Sequence, residues 1–202
     1  MIKICFPYYS EYDLPRSCLP ALREAGIKFE DQACQGPYIA QSRNALINGE
    51  SSQAIKQDIG NKYSHYLFID SDIGFEAKHL KSLLKINASV ACCPYLRHGS
   101  KTIYQAGTFS EPGLIKERFD STRKGIQTVD WCGGGFLLVK ADVFSKIPYP
   151  WFRYGLFEKD GMAEIISEDM CFSMALNKAR IPIYCDFNNP VYHKPREVSY
   201  KT

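Results

Sequence analysis

Two carboxylates one residue apart, Asp70 and Asp72, close the apolar run Tyr66 to Ile69 in "YLFIDSDIGF". Residues two apart on an extended segment point to one side, so the two side chains can converge. Anions that close repel, and one pKa rises unless a cation lies between them. A hard divalent cation, Mg2+ or Mn2+, prefers oxygen ligands and keeps positions open for substrate phosphates. The pair therefore makes sense as a clamp for a metal–diphosphate. A plainer reading has Asp70 ending a strand and Asp72 capping a helix that begins near Phe75.

Three other places hold residues able to do chemistry. Ser167-Glu168-Asp169 opens an amphipathic stretch. The helix dipole favours acids in a first turn, and a carboxylate there, at the rim of a cleft, could equally take a proton from an acceptor hydroxyl. Gly133, Gly134 and Gly135 follow Trp131 and interrupt two strand-like runs. Three glycines cost backbone entropy and suggest that a backbone or a ligand comes very close, although Gly-Gly also makes hairpin turns. Trp131 offers a flat face for a sugar ring or fills a core. His193 lies beyond the last strand; by itself a lone histidine reads as surface or as a satisfied residue. His65 reads as strand or loop surface, His79 as the exposed side of a helix and His98 as loop.

These residues need elements to hold them. "IKICF" reads as a first strand, and Leu14, Cys18, Leu22 and Ala25 then recur at helical spacing up to Gly26. "IKFEDQA" reads as a strand, "IAQSRNALINGESSQAIKQDI" as a helix with a possible break at Gly49, "HYLFI" as a strand, "EAKHLKSLLKI" as a helix and "SVACCPYL" as a buried strand. This rhythm predicts an α/β fold with a doubly wound, mixed but mainly parallel sheet. From Lys101 onward "KTIYQAGTF", "IQTVDW" and "GFLLVK" read as strands joined without long helices. A short helix over "ADVFSKI", a better one from Ser167 to about Arg180 and a last strand "IPIYCD" follow. No linker interrupts the chain, so 1–202 reads as one domain with a regular front half, 1–96, and an irregular back half, 97–202.

The bulk properties exclude some classes. The 202 residues are 45% hydrophobic and 23% charged, with a formal net charge of +3. No dense Lys/Arg block is present, so nucleic acid is not an expected partner. No apolar run approaches the roughly 20 residues that span a bilayer, so no transmembrane segment is expected. The N-terminal "MIKICFPYYS" lacks a secretory apolar region, and the expected location is cytoplasmic. The eight cysteines form no CxxC pair and several sit in apolar runs, which reads as reduced core residues rather than disulfides or a Cys-only zinc site.

The order of the motifs is more specific than any one of them: an apolar strand with Asp-x-Asp, Trp-x-Gly-Gly-Gly-Phe with another apolar strand, Ser-Glu-Asp opening a helix, then a strand and a histidine. This order resembles the GT-A-fold glycosyltransferases, in particular the compact family-2-like enzymes of bacteria and their viruses. The matching pieces are "FIDSDIGF", "GGGFLLVKADVF", "PWF" and "SEDMCFSMALNKARIPIYCDFNNPVYHK", with "YIAQSRNALI" resembling the Arg-Asn helix of several such enzymes. The resemblance implies a metal-dependent glycosyltransferase that moves a sugar from a nucleotide-diphospho-sugar to a hydroxyl of a glycan, lipid-linked or protein acceptor. It implies Mn2+ or Mg2+ as cofactor, a nucleotide-binding half at 1–96 and an acceptor and catalytic half at 97–202. Position by position, Asp72 and His193 would ligate the metal, and Asp70 would reach it through water or contact the donor ribose. Asp169 or Glu168 would be the catalytic base. Gly134 and Gly135 would line the donor-sugar and acceptor region, Pro7 and Tyr8 would lie near the nucleotide base, and Arg43 near the nucleotide or its phosphates. A sugar-nucleotidyltransferase is an alternative, weakened by the missing Gly-rich phosphate loop after the first strand. A non-catalytic carbohydrate-binding module on the same fold is another, and it would have no need for this acidic set.

Overall fold

The structure is a computed structural model and describes residues 1–8, 13–48, 62–159 and 162–194. In chain order the front half holds β1 (Ile2–Tyr8), α1 (Asp13–Ser17), α2 (Leu19–Glu24), β2 (Phe29–Gln35), α3 (Ile39–Asn48), β3 (His65–Ile69), β4 (Ile73–Gly74), α4 (Ala77–Ile86) and β5 (Val90–Cys92). The back half holds β6 (Ile103–Glu111), β7 (Leu114–Asp120), β8 (Ile126–Val129), β9 (Trp131–Cys132), β10 (Phe136–Lys140), a 3-10 turn (Ala141–Ser145), β11 (Gly155–Lys159), β12 (Met162–Ile166), α5 (Glu168–Lys178), β13 (Ile183–Asp186) and β14 (Tyr192–His193).

The central sheet has seven strands in the order β2-β1-β3-β10-β5-β13-β8. β1 pairs in parallel with β2 and β3, and β5 with β13. β10 runs antiparallel between β3 and β5, and β8 closes the far edge antiparallel to β13. The sheet is therefore mixed and mostly parallel, as the strand–helix rhythm predicts. Alternate residues of the central strands feed two cores. Cys5, Tyr66, Phe68, Val90, Leu137 and Val139 pack with α3 and α5 through Leu46, Phe172 and Leu176. Ile4, Leu67, Ile69, Ala91 and Leu138 pack with α2 and α4 through Leu22, Leu80 and Leu83. Burial on both faces is why "YLFI" reads as one unbroken apolar run rather than an alternating one.

Several expectations change. "IQTVDW" divides into β8 and β9, which belong to different sheets: β9 joins β6 and β7 in a separate three-stranded sheet. Strand β7 and the β11–β12 hairpin carry too many charges and too little alternation to be read beforehand; both are held by neighbours rather than by pattern. "ADVFSKI" makes only a 3-10 turn. The helix expected from "IAQSRN…" runs to Asn48, and its expected continuation with the Gly49 break lies outside the described residues. Asp72 is not a helix cap. The cap of α4 is Glu76, in a reciprocal box with His79, whose Nδ1 accepts the Glu76 N–H at 2.8 Å. His79 is accordingly buried against Phe136, not on an exposed helix side. All eight cysteines are free, and five of them are buried.

Candidate active site

Beyond β3 the chain turns through Asp70 and Asp72 into the two-residue β4, and β14 pairs antiparallel with it, His193 opposite Ile73. The Lys194 N–H donates to the Asp72 carbonyl at 2.8 Å, which extends the pairing by one step. This small ladder brings position 193 to position 72. His193 Nε2 lies 3.2 Å from Asp72 Oδ2, and His98 Nε2 lies 3.4 Å from the same oxygen. The two imidazoles lie with centroids 3.9 Å apart and planes inclined at 42°, and Tyr95 packs edge-on against His193. Burial works against the Asp72 charge, but the hydrogen bond and charge of His193, with help from His98, hold its carboxyl below the usual range. Burial also opposes the His193 charge, and the bonds to Asp72 and to the Leu96 carbonyl more than offset it, so that imidazole sits above its ordinary value.

Asp70 faces a different partner. Arg43, from the middle of α3, has a side chain only 1% exposed, and its Nη2 meets Asp70 Oδ1 at 2.6 Å. Nη1 donates to the Gly134 carbonyl at 2.8 Å, and Nε faces Glu168 Oε1 at 3.6 Å. One guanidinium thus ties β3, the glycine loop and the start of α5 together. The next residue does the same for the Trp151–Phe152 turn: Asn44 Nδ2 donates to the Phe152 carbonyl at 2.7 Å, and the Phe152 N–H donates to Asn44 Oδ1 at 3.1 Å. Phe152 stacks on Phe172 of α5 with centroids 4.5 Å apart. The Arg-Asn pair, "PWF" and the Ser-Glu-Asp helix are therefore one packed unit. Burial would push the Arg43 guanidinium down, but Asp70, Glu168 and Asp169 together hold it above its ordinary value. For Asp70 burial wins: its carboxyl is pushed up despite Arg43.

The glycine loop lies against this unit. A Cβ on Gly134 would stand 2.1 Å from Arg43 Nη1, one on Gly133 2.1 Å from Tyr95 Oη, and one on Gly135 2.9 Å from the Tyr95 ring. None of the three has a left-handed backbone, so the need is for space, not for conformation. Tyr95 Oη accepts the Gly135 N–H at 3.2 Å, and the Asp70 N–H donates to the Gly135 carbonyl at 3.1 Å. Gly134→Ala is expected to destabilise by about 1–3 kcal/mol through overpacking against a guanidinium that has nowhere to go. Denaturant melts of the variant beside the parent measure the loss, and an unchanged midpoint would show that the guanidinium can give way.

At the start of α5 the two acids differ. Glu168 is buried against Arg43. Asp169 is half-buried; its Oδ1 accepts the Met170 N–H at 2.8 Å and the Ser167 hydroxyl. Burial, with the Asp169 and Asp70 charges adding to it and Arg43 opposing, pushes Glu168 from 4.5 up to about 7. A carboxyl with a raised folded pKa binds its proton more tightly in the fold than in the unfolded chain. Its contribution is full below 4.5 and is lost as pH rises through about 7. Stability is therefore expected to fall across that window, and Glu168→Gln is expected to flatten the fall, as read from unfolding midpoints at both ends. An equally steep decline in the variant would overturn the assignment. Pro7 and Tyr8 end β1, paired with Cys34 and Gln35 of β2; Pro7 is buried and Tyr8 half-buried.

No protein-family model and no curated protein matches the chain. Solved structures do. The crystal structure of A197 from STIV aligns over 100% of this chain and 97% of its own, at 18% identity and a TM-score of 0.57. GalNAc-T7 with UDP, GalNAc and Mn2+ aligns over 99% of this chain and 45% of its own, at 7% identity and 0.63. A Drosophila β1,4-galactosyltransferase 7 complex with manganese, UDP-Gal and xylobiose aligns over 99% and 73%, at 13% identity and 0.50. The fold is GT-A-like.

In this GT-A-like chain Asp72, His98 and His193 each offer one ligand atom, and these atoms lie within 4.8 Å of one another, the one such group among the described residues. The donor chemistry fits a divalent cation. The Leu96 carbonyl accepts from His193 Nδ1 at 2.6 Å, so Nε2, which donates to Asp72 while protonated, would offer its lone pair to a cation that displaced that proton. A carbonyl behind the imidazole is the usual support of a metal-bound histidine. His98 is the residue that the sequence reading missed. It lies in a loop after β5 without a motif around it, and the only available signal was its place just beyond the carboxyl end of a sheet strand. Trp131 is only 2% exposed and its ring is covered by the Arg118 guanidinium at 4.8 Å, so it serves the core rather than an open sugar platform. No helix among the described residues is long and apolar enough to cross a membrane.

Proposed function

We propose that the chain transfers a sugar from a nucleotide-diphospho-sugar to an acceptor hydroxyl, with Mn2+ or Mg2+ as cofactor. The observation that carries this reading is the convergence of Asp72, His98 and His193 just beyond β3, a metal-compatible donor set on a fold shared with proteins whose structures hold Mn2+ and UDP. Asp72, His193 and His98 would hold the cation. When bound, it supplies Lewis-acid stabilisation of the charge that develops on the departing diphosphate. Asp70, gripped through one oxygen by Arg43, is oriented toward the ribose or the cation's water shell. Arg43 itself lies beneath the site and acts by fixing the carboxylates, not by meeting phosphates in the open. Pro7 and Tyr8 flank the nucleotide base, and the backbone of Gly134 and Gly135, set against Arg43 and Tyr95, lines the donor-sugar region.

Asp169 is the favoured base. Ser167 and the Met170 N–H orient its carboxylate, whereas Glu168 is turned inward to Arg43. A positioned base of this kind contributes about 10²–10⁴-fold. Calorimetry with UDP and GDP, with and without Mn2+, tests the reading. Metal-dependent binding of at least one nucleotide, followed by release of that diphosphate from its sugar donors, is the expected result. Absence of nucleotide binding in either state would reject it.

A further inference from the structure

The acceptor half carries two guanidinium groups that nothing in the donor reading uses. Arg118 on β7 pairs across β6 with Gly107, which pairs in turn with Trp131 on β9. Its guanidinium lies 4.8 Å over the Trp131 ring, and Nη1 donates to Gln105 Oε1 at 3.0 Å. The Gln105 carbonyl accepts the Gly133 N–H at 2.7 Å, so this group borders the glycine loop. The other Arg118 donors meet no acceptor among the described residues. Arg97 follows on the neighbouring segment, its N–H donating to the Ile103 carbonyl at 2.8 Å; its side chain is exposed and makes no ion pair among the described residues. Burial first, and then the Arg97 charge, push the Arg118 guanidinium down, while Asp169 acts in the opposite direction from beyond ion-pair distance. Arg97 and Arg118 thus flank β6 from its two sides around Gln105, and the Arg118 guanidinium is fixed on an indole.

Like charges held together are unfavourable unless an anion joins them. A guanidinium fork matches an oxyanion geometrically, and stacking on an aromatic ring fixes the fork before the anion arrives. We propose that this face binds the oxyanion, phosphate or carboxylate, of an anionic acceptor, with Arg118 and Arg97 on the anion and Asp169 at the accepting hydroxyl. The assignment to the acceptor rests on the glycosyl-transfer reading; the anion site itself does not.

The two tryptophans, Trp131 and Trp151, give two indole N–H signals by NMR. Inorganic phosphate and acetate are titrated into the protein with Mg2+, with and without UDP, and glycerol serves as the uncharged control. The Trp131 signal is expected to move saturably with the anions and not with glycerol, while that of Trp151, bonded to the Phe144 carbonyl, stays in place. Arg118→Gln and Arg97→Gln are each expected to weaken the anion by about tenfold, with Mg2+–UDP affinity unchanged. A static Trp131 signal in the parent, or anion affinity in both variants equal to that of the parent, overturns the proposal. So does a loss of UDP affinity matching the loss of anion affinity, which gives the cations to the donor. A preference for UDP-glucuronate over UDP-glucose that disappears in Arg118→Gln also overturns it, because the anion would then be the donor's own. If UDP binds nowhere while the anion response is as described, glycosyl transfer fails and the anion site stands.

Discussion

Replacing Arg43 with alanine is expected to cost about 3–5 kcal/mol of folding stability, the usual effect of removing one partner from a buried ion pair. The protein's whole margin is of the order of 5–15 kcal/mol, so this is a large share of it. The loss has three sources. Asp70 loses its 2.6 Å partner, Glu168 loses the guanidinium 3.6 Å from its carboxyl, and the Gly134 carbonyl loses a donor. Arg43→Lys is expected to rescue little, because one ammonium cannot reach a carboxylate, a second acid and a carbonyl as a planar fork does. Chemical denaturation measures this directly, and an alanine variant that melts with the parent would show that the clasp carries no load.

Replacing Asp72 with alanine is expected to leave the fold close to intact and to remove metal-linked nucleotide binding. Its side chain is 31% exposed, and its partners are two imidazoles that can shed their protons. Changes in the groups behind a metal ligand already cost 10- to 100-fold in affinity, so loss of a direct ligand should cost at least about 100-fold. The measurement is Mn2+-dependent UDP affinity by calorimetry, with the melting curve as control. The contrast with Arg43 matters most: one substitution attacks the frame that holds the carboxylates, the other removes a ligand and spares the frame. Unchanged Mn2+-dependent affinity in Asp72→Ala would sink the metal assignment.

What could be read in the sequence follows from what acts locally. The strands around Tyr66–Ile69 and Phe136–Lys140 and the helices at 77–86 and 168–178 have apolar residues in the right period, and the structure forms them there. Convergence of Asp72 and His193 depends on the β4–β14 ladder, two residues long on each side, which no periodicity can signal. His98 joins them through its approach to Asp72 and its packing against the His193 ring, again a tertiary event. The resemblance implies Arg43 near the nucleotide or its phosphates; its burial depends on acids and a glycine loop 27 to 125 positions away, which the helix itself does not signal. The glycines show the opposite case. Triple glycine signals close approach, and the approach is real, but the neighbours are Arg43 and Tyr95 of this chain.

Strand β10 carries a consequence for how the molecule can be divided. Leu137 and Leu138 lie opposite Phe68 and Leu67 on one side and opposite Cys92 and Ala91 on the other, so a segment from late in the chain is the keystone between two early strands. A truncated polypeptide stopping near residue 96 would leave two apolar strands with bare edges, the condition that drives aggregation. Such a fragment is expected in inclusion bodies, and soluble only when the remainder is supplied in trans to slide into the gap.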